Sequence, residues 1–458
     1  MLSGEVRRNL KDIFGRDRFL DSRIDVIAYG SDGTRKWYPP DAVVRPITTE
    51  EVVAVMKMAD EHGFPVVPRG AASNLTGGAL PLQGGVVVDF SLMNRIISID
   101  VENLTAVVES GVVVSHLQEE AERHSLFYPP DPASNEFSTI GGNIAEGAGG
   151  LRGLKYGVTR DYVLALELVL MGGSVIRTGA ATMKSVAGYD LTRLIVGSEG
   201  TLGVVTKATL KLIPLPPAVG TAQVIFSCNR SALKAASLIV ASRLFPRALE
   251  FVDSNCLKII RECGGALDTS DQDALLLVEF DGTKETVESE LSKLESILEG
   301  LCRKFERTTD SAKRGSLWKM RKSISPSVYR ITPIKVSEDI CVPRSQLGAI
   351  LDEIEKIGRR HSIRVLSYGH AGDGNLHVNF IPPDTSESAM SRVYQAVEDL
   401  FKATVASGGT ISGEHGIGVT KQEYLHLEVR ERELGLMKAI KSCFDPKGLL
   451  NPGKVFTR

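Results

Sequence analysis

Long apolar runs are missing from this 458-residue chain. No stretch reaches the ~20 consecutive apolar residues that a membrane-spanning helix needs. The opening segment, Met1 to Phe14, mixes charged with apolar residues as an amphipathic helix would, and it lacks the apolar centre of a secretory signal. Cytoplasmic residence is the expectation, with any membrane contact peripheral and made through a partner. Excess charge of one sign is missing too: 54 Lys and Arg face 56 Asp and Glu. That balance gives no electrostatic reason to expect nucleic acid or an acidic membrane surface. The basic stretch from Arg303 to Lys322 has few aromatics and reads as a solvated surface. Cysteine is scarce and scattered, at Cys228, Cys256, Cys263, Cys302, Cys341 and Cys443, with no CxxC pair. Iron–sulfur ligation needs clustered thiolates, so these read as isolated thiols in a reducing compartment. Neither GxGxxG nor a Walker loop occurs, which counts against Rossmann-type NAD binding and NTP hydrolysis. No internal repeat or low-complexity segment stands out.

Glycine, by contrast, is plentiful, with 44 residues, and it concentrates where chemistry is expected. Pro68-Arg69-Gly70-Ala71-Ala72-Ser73-Asn74 follows directly on a β-branched strand. Small residues there let successive N–H groups approach a phosphate and form an anion nest. A second run, Ser138-Thr139-Ile-Gly141-Gly142-Asn143-Ile-Ala-Glu-Gly147-Ala-Gly149-Gly150, is too small in side chain to pack a core and suits an extended ligand held by backbone hydrogen bonds. A third, Gly197-Ser-Glu199-Gly200-Thr-Leu-Gly203-Val-Val205, repeats that composition before a strand.

The length predicts two domains, or three. Strand-like and helix-like stretches alternate from 40 to 110 and again from 163 to 213, and Pro214-Leu-Pro-Pro is the best boundary. Beyond it, strands at 274–280 and 363–367 and helices at 231–242 and 286–298 suggest a smaller antiparallel sheet with helices on one face.

Two segments near the carboxyl end carry three of the eight histidines beside an acid: Tyr368-Gly-His370-Ala-Gly-Asp373-Gly-Asn375-Leu-His377-Val-Asn379, and Ser412-Gly-Glu414-His415-Gly-Ile-Gly418. The turn between His370 and His377 can bring both imidazoles together, and strand periodicity puts Asn379 on the face of His377. Glu414 can complete a two-histidine, one-carboxylate set with open positions for substrate oxygens. His415 is then a natural general base. Asp373 reads as a turn former, and Asn375 as a turn or supporting residue. A zinc hydrolase could use the same His and Glu residues but has no need of the glycine-rich half.

Together with Phe444-Asp-Pro446-Lys-Gly-Leu-Leu-Asn451-Pro-Gly453, these segments resemble the vanillyl-alcohol oxidase type of FAD-linked oxidases, specifically the branch of D-lactate dehydrogenases and the flavin subunits of glycolate oxidases, over nearly the whole chain. The resemblance implies an α+β fold: a two-part FAD-binding domain at 1–217, a smaller ferredoxin-like substrate cap at 218–409, and a segment at 410–458 returning to the FAD site. It implies that Arg69 to Asn74 cradle the pyrophosphate, and that Pro68, Pro130, Ser138, Thr139, Gly142, Asn143, Gly149, Glu199, Gly203, Val205 and Asn451 line the rest of the cofactor. Some relatives attach FAD through a histidine in the first loop; Ser73 stands in that place, so non-covalent FAD is expected. His370, His377 and Glu414 correspond to metal ligands (zinc, manganese or iron) and His415 to the base. Arg321 falls where relatives hold the substrate carboxylate, with Asn379 and, on a looser alignment, Lys335 as further substrate contacts.

The implied reaction is metal-assisted oxidation of a D-2-hydroxy acid, D-lactate or glycolate first, with a hydride passing to flavin N5 and a 2-keto acid left. D-2-hydroxyglutarate oxidation is the alternative, as is a non-catalytic FAD subunit of an electron-transfer complex. With no cluster or haem motif of its own, the chain is expected to pass electrons to an iron–sulfur subunit, an electron-transfer flavoprotein, a cytochrome or a quinone, and a homodimer is compatible with it. A non-redox relative such as alkyl-dihydroxyacetone-phosphate synthase is disfavoured by the absence of its histidine cluster.

Overall fold

The structure, a computed structural model, describes residues 2–265 and 268–456. They divide into two compact units. The first comprises Met1–Gly149, Val158–Leu215 and Glu414–Arg458, and the second Gly150–Gly157 and Pro216–Gly413. The sequence-derived boundaries at 217 and 409 lie close to these, but Gly150–Gly157 was not expected in the second unit. Two side chains anchor that segment there: Lys155 Nζ lies 2.5 Å from Asp281 Oδ1, and the Tyr156 hydroxyl donates to Asp281 Oδ2 at 2.8 Å.

Two larger sheets and a two-stranded pair, Leu126–Phe127 with Ile213–Pro214, build the first unit. The larger sheets differ in strand direction. In one, the strands Ala42–Val44, Val86–Asp89 and Val66–Arg69 run parallel, with the short Phe19–Leu20 antiparallel at the edge. The other is antiparallel, in the order Ile96–Asp100, Thr105–Glu109, Val204–Lys211, Val163–Val169, Val175–Gly179. Both faces of the parallel strands are apolar, as strands covered on two sides require. The helix Thr49–His62 covers one of them. Thr48 caps it by accepting from Glu51 N, Val52, Val55, Met56 and Ala59 form its buried stripe, and Gly63 ends it in a left-handed turn whose N–H donates to Ala59 O. These residues share a core with Val44, Val66, Val86 and Val88 of the parallel sheet and Val169 and Val204 of the antiparallel one.

The second unit is one seven-stranded antiparallel sheet, ordered Lys304–Thr308, Ala218–Phe226, Ala274–Gly282, Ala248–Val252, Arg364–His370, Asn375–Ile381, Val336–Cys341. Helices lie on both faces rather than the single face expected. Ser254–Glu262, Ser311–Lys322 and Ile324–Ile331 pack on Ile225, Leu275, Leu277, Leu366 and Tyr368. On the opposite face the helix Lys284–Leu298 meets Gly220, where a Cβ would press on Val287 and Leu291. The reason is the strand pattern: Ala274–Phe280 is buried at every position, so neither face can be left to water. Much of the basic stretch is paired: Arg303 with Asp273, Arg307 with Glu288, Arg314 with Glu279.

Candidate cofactor cavity and metal centre

In the first unit, loops from both larger sheets line a cleft open to solvent, whose volume counted with its solvent-filled mouth is about 1340 Å³. Pro68 through Asn74 form one wall, and Ser138, Thr139, Gly142, Asn143 and Gly149 another. Glu199, Gly203, Val205 and Asn451 close it, with Glu414 and His415 at its border. Pro130 is not among the lining residues. Its carbonyl turns inward to accept from Gln118 Nε2 at 2.9 Å, and Pro132 to Ser134 take the position at the wall. Arg69 contributes backbone rather than charge: its guanidinium donates to the carbonyls of Tyr29 and Ser31.

Several features of this cavity fit a large, oxygen-rich ligand. Among the described residues no backbone hydrogen bond engages the N–H groups of Gly70, Ala71, Ala72 or Ser73. Ala72 has φ +52°, the left-handed turn that lets neighbouring N–H groups converge on an anion. Ser138 Oγ and Asn143 Nδ2 are buried at the wall without a protein partner, an unfavourable state costing about 1–3 kcal/mol each unless a ligand bonds them. Glycine is required where the wall is thinnest. A Cβ on Gly141 would fall 2.7 Å from Ser110 Cβ, and one on Gly203 2.5 Å from Leu168 Cδ1. The polyhydroxy, diphosphate-bearing FAD matches this donor set.

The segment carrying His415 is fixed from beneath. Glu199 accepts Ile417 N and Gly418 N, both at 2.7 Å, and the Thr76 hydroxyl donates to the His415 carbonyl at 3.0 Å. Glu199 and Asn451 also adopt positive φ, and Asn451 Nδ2 donates to the Gly78 and Glu199 carbonyls, tying the tail to the cavity floor. Sequence reading passed over Glu146. Burial, with Glu199 and Asp32 nearby, pushes its carboxyl well above the usual range, while burial lowers the Lys454 amine to about 8 against the pull of the same three acids.

In the second unit, His370 ends one strand of a hairpin and His377 lies in the other. Tyr368 pairs in register with His377, so His370, two residues on from Tyr368, shares its face. The imidazole centroids are 5.3 Å apart and nearly perpendicular. The turn between them is set by Asp373 Oδ1 accepting from Asn375 N, and by Gly374 at φ +92° packed against the Val342 carbonyl. Glu250, on the adjacent strand opposite His370 and wholly buried, divides its two oxygens. Oε1 meets His370 Nδ1; Oε2 accepts from Arg321 Nε at 3.0 Å and Nη2 at 2.6 Å. Burial acts to raise the Glu250 carboxyl, but His370 and Arg321 prevail and hold it at about 2.

Arg321 is therefore buried, paired, and laid over the Tyr368 ring at 4.6 Å, not open as a bidentate clamp. Lys335 Nζ donates to Ser325 Oγ at 2.7 Å and to Asn379 Oδ1 at 3.0 Å, and Ser337 also donates to Asn379. Arg321, Ser325, Lys335, Tyr368 and Asn379 thus make one polar cluster. Sequence reading missed Glu250, Ser325 and Tyr368. An acid in the otherwise apolar run Ala248-Leu-Glu-Phe-Val252 was the available signal for the first. Two imidazoles backed by a carboxylate are a donor set suited to zinc, manganese or iron.

Comparison with known proteins agrees with this geometry. The model of FAD linked oxidases, C-terminal domain, matches residues 215–455, and that of an FAD binding domain matches residues 40–179. The chain is 42% identical to glycolate oxidase subunit GlcD of Bacillus subtilis, over 100% of this chain and 98% of the relative. It is 35% identical to D-lactate dehydrogenase of Anaerostipes hadrus, over 91% and 89% respectively. A crystal structure of p-cresol methylhydroxylase with substrate bound shares the fold at TM-score 0.82 and 19% identity, over 98% of this chain and 96% of that one. With matches that span the whole chain and a cavity built for the cofactor, this protein belongs to the FAD-linked oxidase family.

Proposed function

We propose that the protein oxidises a small 2-hydroxy acid, D-lactate or glycolate, to the 2-keto acid, with non-covalent FAD and a divalent metal ion. The observation that carries the reading is that His415 borders the same cavity as the phosphate-nest loop, on a segment clamped by Glu199 and Thr76. The names of the relatives, a glycolate oxidase subunit and a D-lactate dehydrogenase, favour these two substrates.

His370 and His377 supply two metal ligands and Glu414 the third. Covalent continuity supports that assignment. Gly413 N donates to Asp339 Oδ2 at 2.8 Å, and Asp339 is the cross-strand neighbour of His377, so Glu414 follows one peptide later. FAD supplies the two-electron acceptor, and the ion a Lewis acid that lowers the substrate hydroxyl's pKa. His415 accepts the hydroxyl proton. Arg321 spends Nε and Nη2 on Glu250 and so offers a substrate carboxylate Nη1 at most; Lys335, beside Asn379, adds an ammonium to that wall.

The word subunit in the name of the Bacillus relative supports a companion protein as electron acceptor. Among the described residues no helix is long and apolar enough to cross a membrane. The test is anaerobic mixing of the FAD-loaded, metal-replete protein with a panel of D- and L-hydroxy acids. Bleaching of the flavin band by D-lactate or glycolate supports the reading. Bleaching by none of the panel overturns it.

A further inference from the structure

We propose that Glu250 is a positioning residue for the metal site: it fixes the His370 ring with the proton on Nδ1 and Nε2 directed outward as the ligand atom, and Arg321 locks Glu250 in place. This rests on the metal reading above.

The argument begins with the strand register. Glu250 pairs with His370 across the sheet, so their side chains leave the same face side by side. Rotation of Glu250 is blocked because its second oxygen is held by two nitrogens of Arg321, whose guanidinium itself sits over the Tyr368 ring. A carboxylate is an acceptor only, so the imidazole nitrogen facing it must carry hydrogen. In the neutral ring the lone pair then belongs to the opposite nitrogen, Nε2, which the carboxylate behind makes more basic. The arrangement engages both oxygens of a wholly buried acid: one for the histidine and one for the guanidinium. It also gives Arg321 a different place from the one its sequence position suggests, as the brace of a brace rather than the principal substrate contact.

The experiment is a Zn²⁺ titration of metal-stripped, FAD-loaded protein in competition with a chromophoric chelator, comparing wild type with Glu250→Gln. The variant keeps the volume but places a neutral amide behind His370. Binding is expected to weaken about 10–100-fold, with FAD content unchanged. Equal affinity in the two proteins overturns the role of Glu250 while leaving the metal in place. A wild type that takes up no Zn²⁺ overturns the metal reading and this inference with it. Should Glu250→Gln not fold, the wild type alone decides. Histidine ¹⁵N–¹H correlation in the metal-stripped protein is expected to show His370 protonated at Nδ1 with Nε2 bare, and a neutral ring protonated at Nε2 instead overturns the proposal.

Discussion

Gly70 and Thr139 approach so closely that a Cβ on the glycine would fall on the threonine hydroxyl. Thr139 cannot move aside cheaply, because the same hydroxyl accepts Gly142 N as the cap of the following helix. Gly70→Ala is therefore expected to push the phosphate-nest loop outward. Overpacking of this kind costs about 1–3 kcal/mol, so FAD affinity should fall about tenfold or more. Quenching of FAD fluorescence on titration with the apoprotein measures it, and an unchanged affinity would remove this loop from the cofactor site.

The resemblance set out above puts Ser73 where a flavin-linked histidine would stand, and non-covalent FAD is the proposed state. Acid precipitation of the yellow protein should release all FAD to the supernatant. Colour retained in the washed pellet would show a covalent bond elsewhere.

Glu167 gives the first unit an acid-sensitive joint. Burial raises its carboxyl, yet Lys207, Arg177 and Thr49 outweigh burial and hold it at about 2, below its ordinary 4.5. A depressed acid stabilises the fold above its unfolded value and loses that contribution as pH falls toward the folded one. Glu167→Gln should thus lower Tm at pH 7, and its difference from wild type should shrink between about pH 4.5 and 2. A difference independent of pH would mean that packing, not charge, is what Glu167 supplies.

Metal removal should separate the two halves of the chemistry. A chelator is expected to abolish turnover while the flavin spectrum stays with the protein, because the phosphate-nest loop and its cavity lie in the first unit and the histidine pair in the second. Activity should return on adding zinc or manganese. Full turnover by metal-free protein would leave His370 and His377 with a purely structural role.

How much of this could be read in advance depended on how local each signal was. The helix at Thr49 announces itself between Thr48 and Gly63 by its cap, stripe and terminal glycine, and the cavity walls are contiguous glycine-rich runs. The histidine hairpin needed only strand periodicity and a turn. The acid at Glu250 stands out in an apolar run, but its role was not legible because its two partners lie 71 and 120 residues away, and nothing in that run says which base it will meet. The Arg69 side chain was out of reach of local reading for the same reason: the chain spends its guanidinium on carbonyls 38 and 40 residues upstream. Likewise the excursion of Gly150–Gly157 into the second unit rests on Asp281, and no composition shift marks it.

In the proposed reaction, removal of the substrate proton by His415 is the step on which flavin reduction depends. The decisive experiment is anaerobic stopped-flow mixing of FAD-loaded, metal-replete His415→Ala with the hydroxy acid that bleaches the wild type. The flavin should stay bound and oxidised, with reduction slowed about 10²-fold or more. Bleaching at the wild-type rate would mean that another group takes the proton and that His415 is not the base.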